Sequence, residues 1–201
     1  RMTGTHAKLL RKPELARLGA DLEEHLENWI KSSSAADLFT VFDDGCMALL
    51  REAFLNIGGC EGTVWLTDEE EVNLVAVYNS GDDANSLVGF EQPLGSGIIS
   101  MVLSQQQPYC ENDIGASHGH DDTLDKKISK HTTAMIAVPF YFARGIRGVV
   151  SCVQLQEIET GTSKHGFSSN DVSELTKVVN LVERLINETL QSLALGINDA
   201  G

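Results

Sequence analysis

Nowhere does the chain carry an apolar run approaching the ~20 residues that a membrane-spanning helix requires, and a transmembrane reading is excluded. Cations are scarce: 15 Lys and Arg against 29 Asp and Glu leave a formal net charge of −14. Nucleic-acid affinity depends on clustered Lys and Arg that displace counterions, so neither DNA nor RNA is an expected partner. The acidic residues are dispersed, with one short run at Asp68-Glu69-Glu70-Glu71, and read as a solvated surface. Cys46, Cys60, Cys110 and Cys152 form no Cys-x-x-Cys pair and have no zinc-like His spacing, so they read as reduced thiols. The amino terminus lacks a basic segment, an apolar core and a small-residue cleavage site. No secretory leader is therefore expected, and a cytoplasmic location is. No internal repeat or low-complexity segment is found.

What is present is an ordinary apolar share in 201 residues, enough for one domain with appended helices. Leu15, Leu18, Leu22, Leu26 and Trp29 recur at three- and four-residue steps, which predicts an amphipathic helix between Pro13 and Lys31. Ser32-Ser33-Ser34 ends it. A second helix is expected from Leu38 to the stop at Gly58-Gly59, with Asp37 as its cap. Thr63–Thr67 and Val72–Tyr78 read as antiparallel strands, and Gly89–Leu94 as a weaker one. Gly95-Ser96-Gly97 then turns into a short helix carrying Ile98, Ile99, Val102 and Leu103, and Pro108 opens another short strand. The polar stretch from Asp113 to His131, with a helix expected over Asp121–Lys130, is read as a loop covering a pocket. Ala134–Phe142 and Gly148–Leu155 are expected to form a hairpin through Ala143-Arg144-Gly145. From Ser168 onward, Val172, Leu175, Val179, Val182, Ile186 and Leu193 mark a long terminal helix.

This order resembles that of GAF domains over roughly Leu38 to Ile186. Gly95-x-Gly97-Ile98-Ile99 is similar to the family's turn into its pocket helix, and Asn112-Asp113 to the Asp after the next strand. Val138-Pro139 with Gly148-Val149 resembles the closing hairpin, and Phe167-Ser168-Ser169-Asn170-Asp171 the Phe-x-x-x-Asp that opens the last helix. The resemblance implies an α+β, PAS-related fold. Its central antiparallel sheet would carry helices on both faces, long terminal helices, and a ligand cavity under the lid. The expected division is an N-terminal helix over 1–34 serving dimerisation or linkage, a GAF domain over 35–195, and a tail over 196–201.

Within such a cavity Ser96, Asn112, Asp113, Asp125, Thr132 and Thr133 would supply hydrogen bonds, between apolar walls from Ile98, Val102, Tyr109 and Ile136. The Gly97 turn would offer backbone N–H groups at a helix start. Each of these Asn, Asp, Ser and Thr side chains could equally serve a local cap or turn. Asp125 and Thr132 fall where cyclic-nucleotide-binding GAF domains line their purine pocket. Ile128 departs from that pattern, and so does Gln154-Leu155, which replaces an Asn-Lys pair linking the last strand to the final helix. The implied function is a non-catalytic sensory domain in signal transduction. It would bind a small molecule, a cyclic nucleotide among the candidates, and signal through terminal helices paired in a homodimer.

The alternatives are a dimerisation module whose pocket is closed by its own side chains, and a redox, metal or haem sensor built on Cys110, His118, His120 and His131. No particular cofactor is specified by the residues, and no bilin is expected, because no Cys-His dipeptide occurs. Catalysis is disfavoured. The GAF-fold enzyme that reduces free methionine sulfoxide uses a set of nearby cysteines, and here only Cys110 is expected near the pocket. No nucleophile, base and orienting partner stand at a recognisable spacing.

Overall fold

The computed structural model describes residues 13–114, 131–156 and 166–194. Helix α1 (Pro13–Ser32) matches the apolar stripe read from the sequence. Its end is fixed by serine hydroxyls turning back on the last carbonyls: Ser32 Oγ donates to the Asn28 and Trp29 oxygens, and Ser33 Oγ to that of Trp29 at 2.7 Å.

The single helix expected over Leu38–Gly58 is two helices. Helix α2 (Ala35–Phe39) is capped by Ser34, and Asp37, its third residue, is the partner in a reciprocal capping box, not the cap. Helix α3 (Asp44–Asn56) starts afresh because the Asp43 carboxylate accepts the Cys46 N–H at 2.7 Å. Gly58, at φ +75°, then lets the chain leave α3 in a left-handed conformation.

Strands β1 (Glu61–Thr67) and β2 (Asn73–Asn79) form an antiparallel pair. The Asp68 carboxylate closes their loop by accepting the N–H groups of Val72 and Asn73. A short helix α4 (Ala84–Leu87), without counterpart in the sequence reading, precedes β3 (Glu91–Pro93). Helix α5 (Gly97–Gln105) and strand β4 (Tyr109–Glu111) follow. The long hairpin β5 (His131–Phe142) and β6 (Gly145–Gln156) and helix α6 (Ser169–Ala194) complete the described elements. The hairpin turn is Ala143-Arg144, both left-handed (φ 47° and 63°). Tight hairpins need that geometry and Asn-Gly pairs adopt it most easily, so the turn carries some strain.

All strands join one six-stranded sheet in the order β3-β2-β1-β6-β5-β4, antiparallel throughout. Alternation along each strand divides the core in two. On one face Val64, Leu66, Ile136, Val138, Phe140, Val150 and Cys152 pack under α3 and α6, joined by Ile30 of α1. On the other, Trp65, Leu74, Ala76, Ala137 and Val149 meet Ile98, Ile99 and Val102 of α5.

Helix α6 also closes the sheet's edge. Beyond β4 the outer side of β5 has no strand partner among the described residues, and its N–H groups need acceptors. Pro139 has none to satisfy, while Tyr141 N donates to Glu183 Oε1 and Ala143 N to Asn187 Oδ1, both at 2.8 Å and one helical turn apart on α6. Burial pushes the Glu183 carboxyl up, and the Tyr141 N–H opposes that shift. The entry to α6 is pinned twice. Gln154 Nε2 donates to the Gly58 and Gly166 oxygens while its Oε1 accepts Gly166 N, and Asn112 brackets Phe167. Gln154 thus makes a link from the last strand to the start of the final helix. Ser168 and Asp171 then form a capping box in which Ser168 N and Oγ both donate to Asp171 Oδ2.

Candidate functional site

The face of the sheet under α5 is where buried polar side chains collect. Glu61, Thr63 and Trp65 alternate on β1 with Gly62, Val64 and Leu66, which puts the first three together on that face. Register aligns Asn79 of β2, Thr63 of β1, Ser151 of β6, Ala137 of β5 and Tyr109 of β4 in one cross-strand row. The next row runs Glu61, Val153, Met135, Glu111.

These groups are held in place. Asn79 Nδ2 donates to Thr63 Oγ1 at 2.9 Å, the Trp65 indole N–H to Ser151 Oγ at 2.9 Å, and Tyr109 O–H to Glu111 Oε2 at 3.2 Å. Glu61 is only 5% exposed, unusual for a carboxylate. The indole of Trp65 packs edge-on to Phe90 and fills the β2 side of this face.

Helix α5 is set over the sheet by its own preceding turn. Gly95 and Gly97 take φ values of +93° and +78° that side chains resist. Gln92 Nε2 donates to the Ser96 carbonyl at 3.4 Å, and Ser100 Oγ to the Pro93 carbonyl at 3.2 Å. Ser96 occupies the N-cap position without a side-chain cap bond. Gly97 also lines an open depression of about 580 Å³ along α5, together with Leu94, Ser100 and Met101.

The residues expected from sequence fall into separate groups. Ile98, Val102 and Tyr109 belong to the cluster under α5. Thr132 pairs with Leu155, and the bulge after it puts it on the same face as Val153, opposite to Gln154. Asp125, Ile128, His118, His120 and the expected lid helix lie outside the described residues.

Four other placements differ from expectation. Ile136 is turned into the opposite core under α6, because Met135 and Ala137 take the α5 side of β5. Asn112 has both ends of its amide on the Phe167 backbone, at 2.8 and 2.7 Å. Thr133 is the bulged residue, and its hydroxyl donates to the Gln154 carbonyl at 3.0 Å. Asp113 is exposed, its N–H on Glu111 Oε1.

Cys110 lies opposite Ile136 and packs against the helical core, so it is not on the α5 face where the sequence reading put it. Burial first, then the nearby Glu111 and Asp171 charges, raise its thiol pKa, the reverse of an activated nucleophile. Cys46 is pushed up to about 11 by burial and by Asp43. Cys152 is buried in the same helical core, and Cys60 is exposed against the Leu155 backbone. Among the described residues no three His, Cys, Asp or Glu side chains group as a metal site, and no helix is long and apolar enough to cross a membrane.

A sheet with terminal helices on one face, and a short Gly-started helix over a polar patch on the other, defines an α+β domain of one sheet between two helical layers. The chain belongs to the GAF family: the family model described as GAF domain matches residues 43–187. Solved structures share the fold at low identity. The GAF domain of the Acinetobacter phosphoenolpyruvate-protein phosphotransferase aligns at TM-score 0.57 and 14% identity, over 90% of this chain and 98% of that one. The free methionine-R-sulfoxide reductase of Neisseria meningitidis, solved with its substrate, aligns at TM-score 0.56 and 18% identity, over 96% and 99%. The GAF-B domain of DevS from Mycobacterium smegmatis aligns at TM-score 0.53 and 17% identity, over 80% and 97%. A search of curated proteins gives no significant match.

Proposed function

We propose that this GAF domain is a non-catalytic sensory module of the cytoplasm that binds a small molecule between α5 and the polar rows of the sheet. The observation that carries this reading is the burial of Glu61, Thr63, Asn79, Ser151 and Thr132 on one face. Burying such groups costs stability unless they are hydrogen-bonded, as Asn79, Thr63 and Ser151 are here, and small-molecule sites combine apolar walls with a few polar groups fixed in this way. Ser96, Gly97, Ile98, Asp125 and Thr132 would touch the ligand, with Asp113 at the rim and Asn112 and Thr133 holding the frame. A cyclic nucleotide remains among the candidate ligands.

The placement of the thiols supports a binding role over sulfoxide reduction, since Cys46, Cys110 and Cys152 pack on the helical side of the sheet. For signalling, Leu181 and Leu193 of α6 remain 40% and 58% exposed and would pair with a second copy. Two neighbouring apolar residues of α6, Val178 and Leu185, are used within the chain, where they pack on the core. A ligand with different affinity for two helix arrangements would supply the coupling.

The test is a thermal-shift screen against cyclic nucleotides, amino acids, nucleobases, 2-oxo acids and haem, with mass followed by light scattering. Stabilisation by one class, abolished by Asp125→Ala with Thr132→Val, is the expected result. A dimer stabilised by none of them would replace this reading with a dimerisation module, its pocket filled by Trp65 and its neighbours.

A further inference from the structure

On the helical side of the sheet, α1, the β5–β6 turn and the end of α6 enclose a second cavity of about 390 Å³. Its apolar wall is Leu26 and Ile30 of α1 with Leu190 of α6, and Asn187 and Gln191 add amides. The Arg147 guanidinium borders it, lying back over Gly145, where even a Cβ would meet Nη2 at 3.0 Å.

The charges around the cavity are unequally matched. Arg144 pairs with Glu23 at 2.8 Å and Lys31 reaches Glu27 at 4.0 Å. Arg147 has no carboxylate partner among the described residues. Its Nη2 has a long bond to the Ala143 carbonyl at 3.4 Å, and its Nε is buried without an acceptor among the described residues. In a chain of formal charge −14 an arginine left without an acid is notable, and a buried donor without an acceptor is costly. Glu71 lines the same cavity yet makes no ion pair with it.

We infer that this cavity is a binding site for a small organic monocarboxylate with an apolar body. The carboxylate would lie against the terminal Nη edge of the Arg147 guanidinium and supply the acid partner it lacks among the described residues, since guanidinium and carboxylate match as parallel hydrogen bonds. The hydrocarbon part would cover Leu26, Ile30 and Leu190. One unmatched cation beside Glu23, Glu27 and Glu71 selects a single negative charge over a phosphate or a dicarboxylate. The volume falls at the lower end of ordinary ligand pockets. Because α1, the hairpin turn and α6 each contribute to the wall, occupancy would favour the arrangement in which all three are together. The site is separate from the one under α5 and does not depend on it.

The experiment follows the Arg147 Nε–H resonance of the whole chain by 1H–15N NMR, assigned through the backbone, during titration with sodium hexanoate. Sodium chloride at equal ionic strength and 1-hexanol serve as controls. A saturable shift of that resonance with hexanoate alone, accompanied by a rise in Tm, is expected. Arg147→Lys should weaken hexanoate binding by about tenfold or more, because an ammonium cannot offer the paired donors. Glu71→Gln should strengthen it by removing a competing negative charge. An Arg147 Nε–H unmoved by hexanoate, or moved equally by chloride, overturns the assignment. So does equal affinity in folded Arg147→Lys. Should that variant not fold, the wild-type titration and the Glu71→Gln comparison decide alone.

Discussion

The two faces of the sheet share the same strands yet bury different chemistry. Under α3 and α6 the strands present Val64, Leu66, Ile136, Val138, Phe140 and Val150, and the buried Gln154 at the margin is satisfied by Gly58 and Gly166. Under α5 a comparable span carries Glu61, Thr63, Asn79, Gln92 and Ser151 among its apolar residues. The first face has the composition of a core that holds the fold together. The second gives up part of that contribution to buried polar groups, which is why the proposed site is placed there.

That division can be tested by substitution. Removing the wholly buried ring of Phe140 on the helical face should have the largest effect. Phe140→Ala is expected to cost about 3–5 kcal/mol, read from the shift in denaturant midpoint. An effect near that of a surface residue would break the comparison. Next in size is the frame between them: Asn112→Ala removes both bonds to Phe167 and leaves its N–H and carbonyl without them. A loss of about 1–3 kcal/mol is expected, with Phe167 amide exchange accelerating. The α5 face should respond more weakly in stability than in binding. Ser151→Ala removes the acceptor of the Trp65 indole and should cost about 1 kcal/mol, while changing the ligand response of the thermal screen by a larger factor. Equal and small effects on both would argue against a site there.

The smallest expected effect is a pH dependence at the sheet edge. Burial raises the Glu183 pKa above its ordinary value, so the folded state binds more protons than the unfolded state just above that value. Stability should therefore fall as pH rises from the ordinary glutamate range through the raised folded value, and stay level beyond it. Glu183→Gln keeps an oxygen for the Tyr141 N–H and should flatten that part of the profile. Chemical denaturation across pH 4 to about 7, the interval in which carboxyl groups with raised pKa values titrate, gives the comparison, and an unchanged slope in the variant would assign the dependence elsewhere.

Much of the fold was legible because it is written in short-range pattern. The stripe ending at Trp29, the Gly95–Gly97 turn, the hairpin strands and the Phe167–Asp171 opening of α6 are all local signals, and the elements appear where those signals put them. The join at Thr40–Asp43 was missed because apolar spacing continues through it, while the break depends on Asp43 capping Cys46. In the candidate site, Ile98, Val102 and Tyr109 were readable as apolar neighbours of a turn. Ile136 was misplaced because side chains alternate, and an error of one residue in phase exchanges the two faces. The alternation Glu61, Thr63, Trp65 was visible in the sequence and was the signal that could have revealed the polar rows.

The sequence by itself determined the family, the order of the strands and the long terminal helix, since each follows from local propensity and motif spacing. Only the tertiary structure decided that Asn112 clamps Phe167, that Cys110 turns away from α5, and that Arg147 borders a cavity without an acid to match it. Those outcomes depend on strand register, on the irregularity that leaves Arg147 between the Phe140–Gly148 and Tyr141–Ile146 pairs, and on which helix covers which face. Such pairings join residues far apart in the chain, and their geometry is set by packing rather than by the neighbours of each residue in sequence.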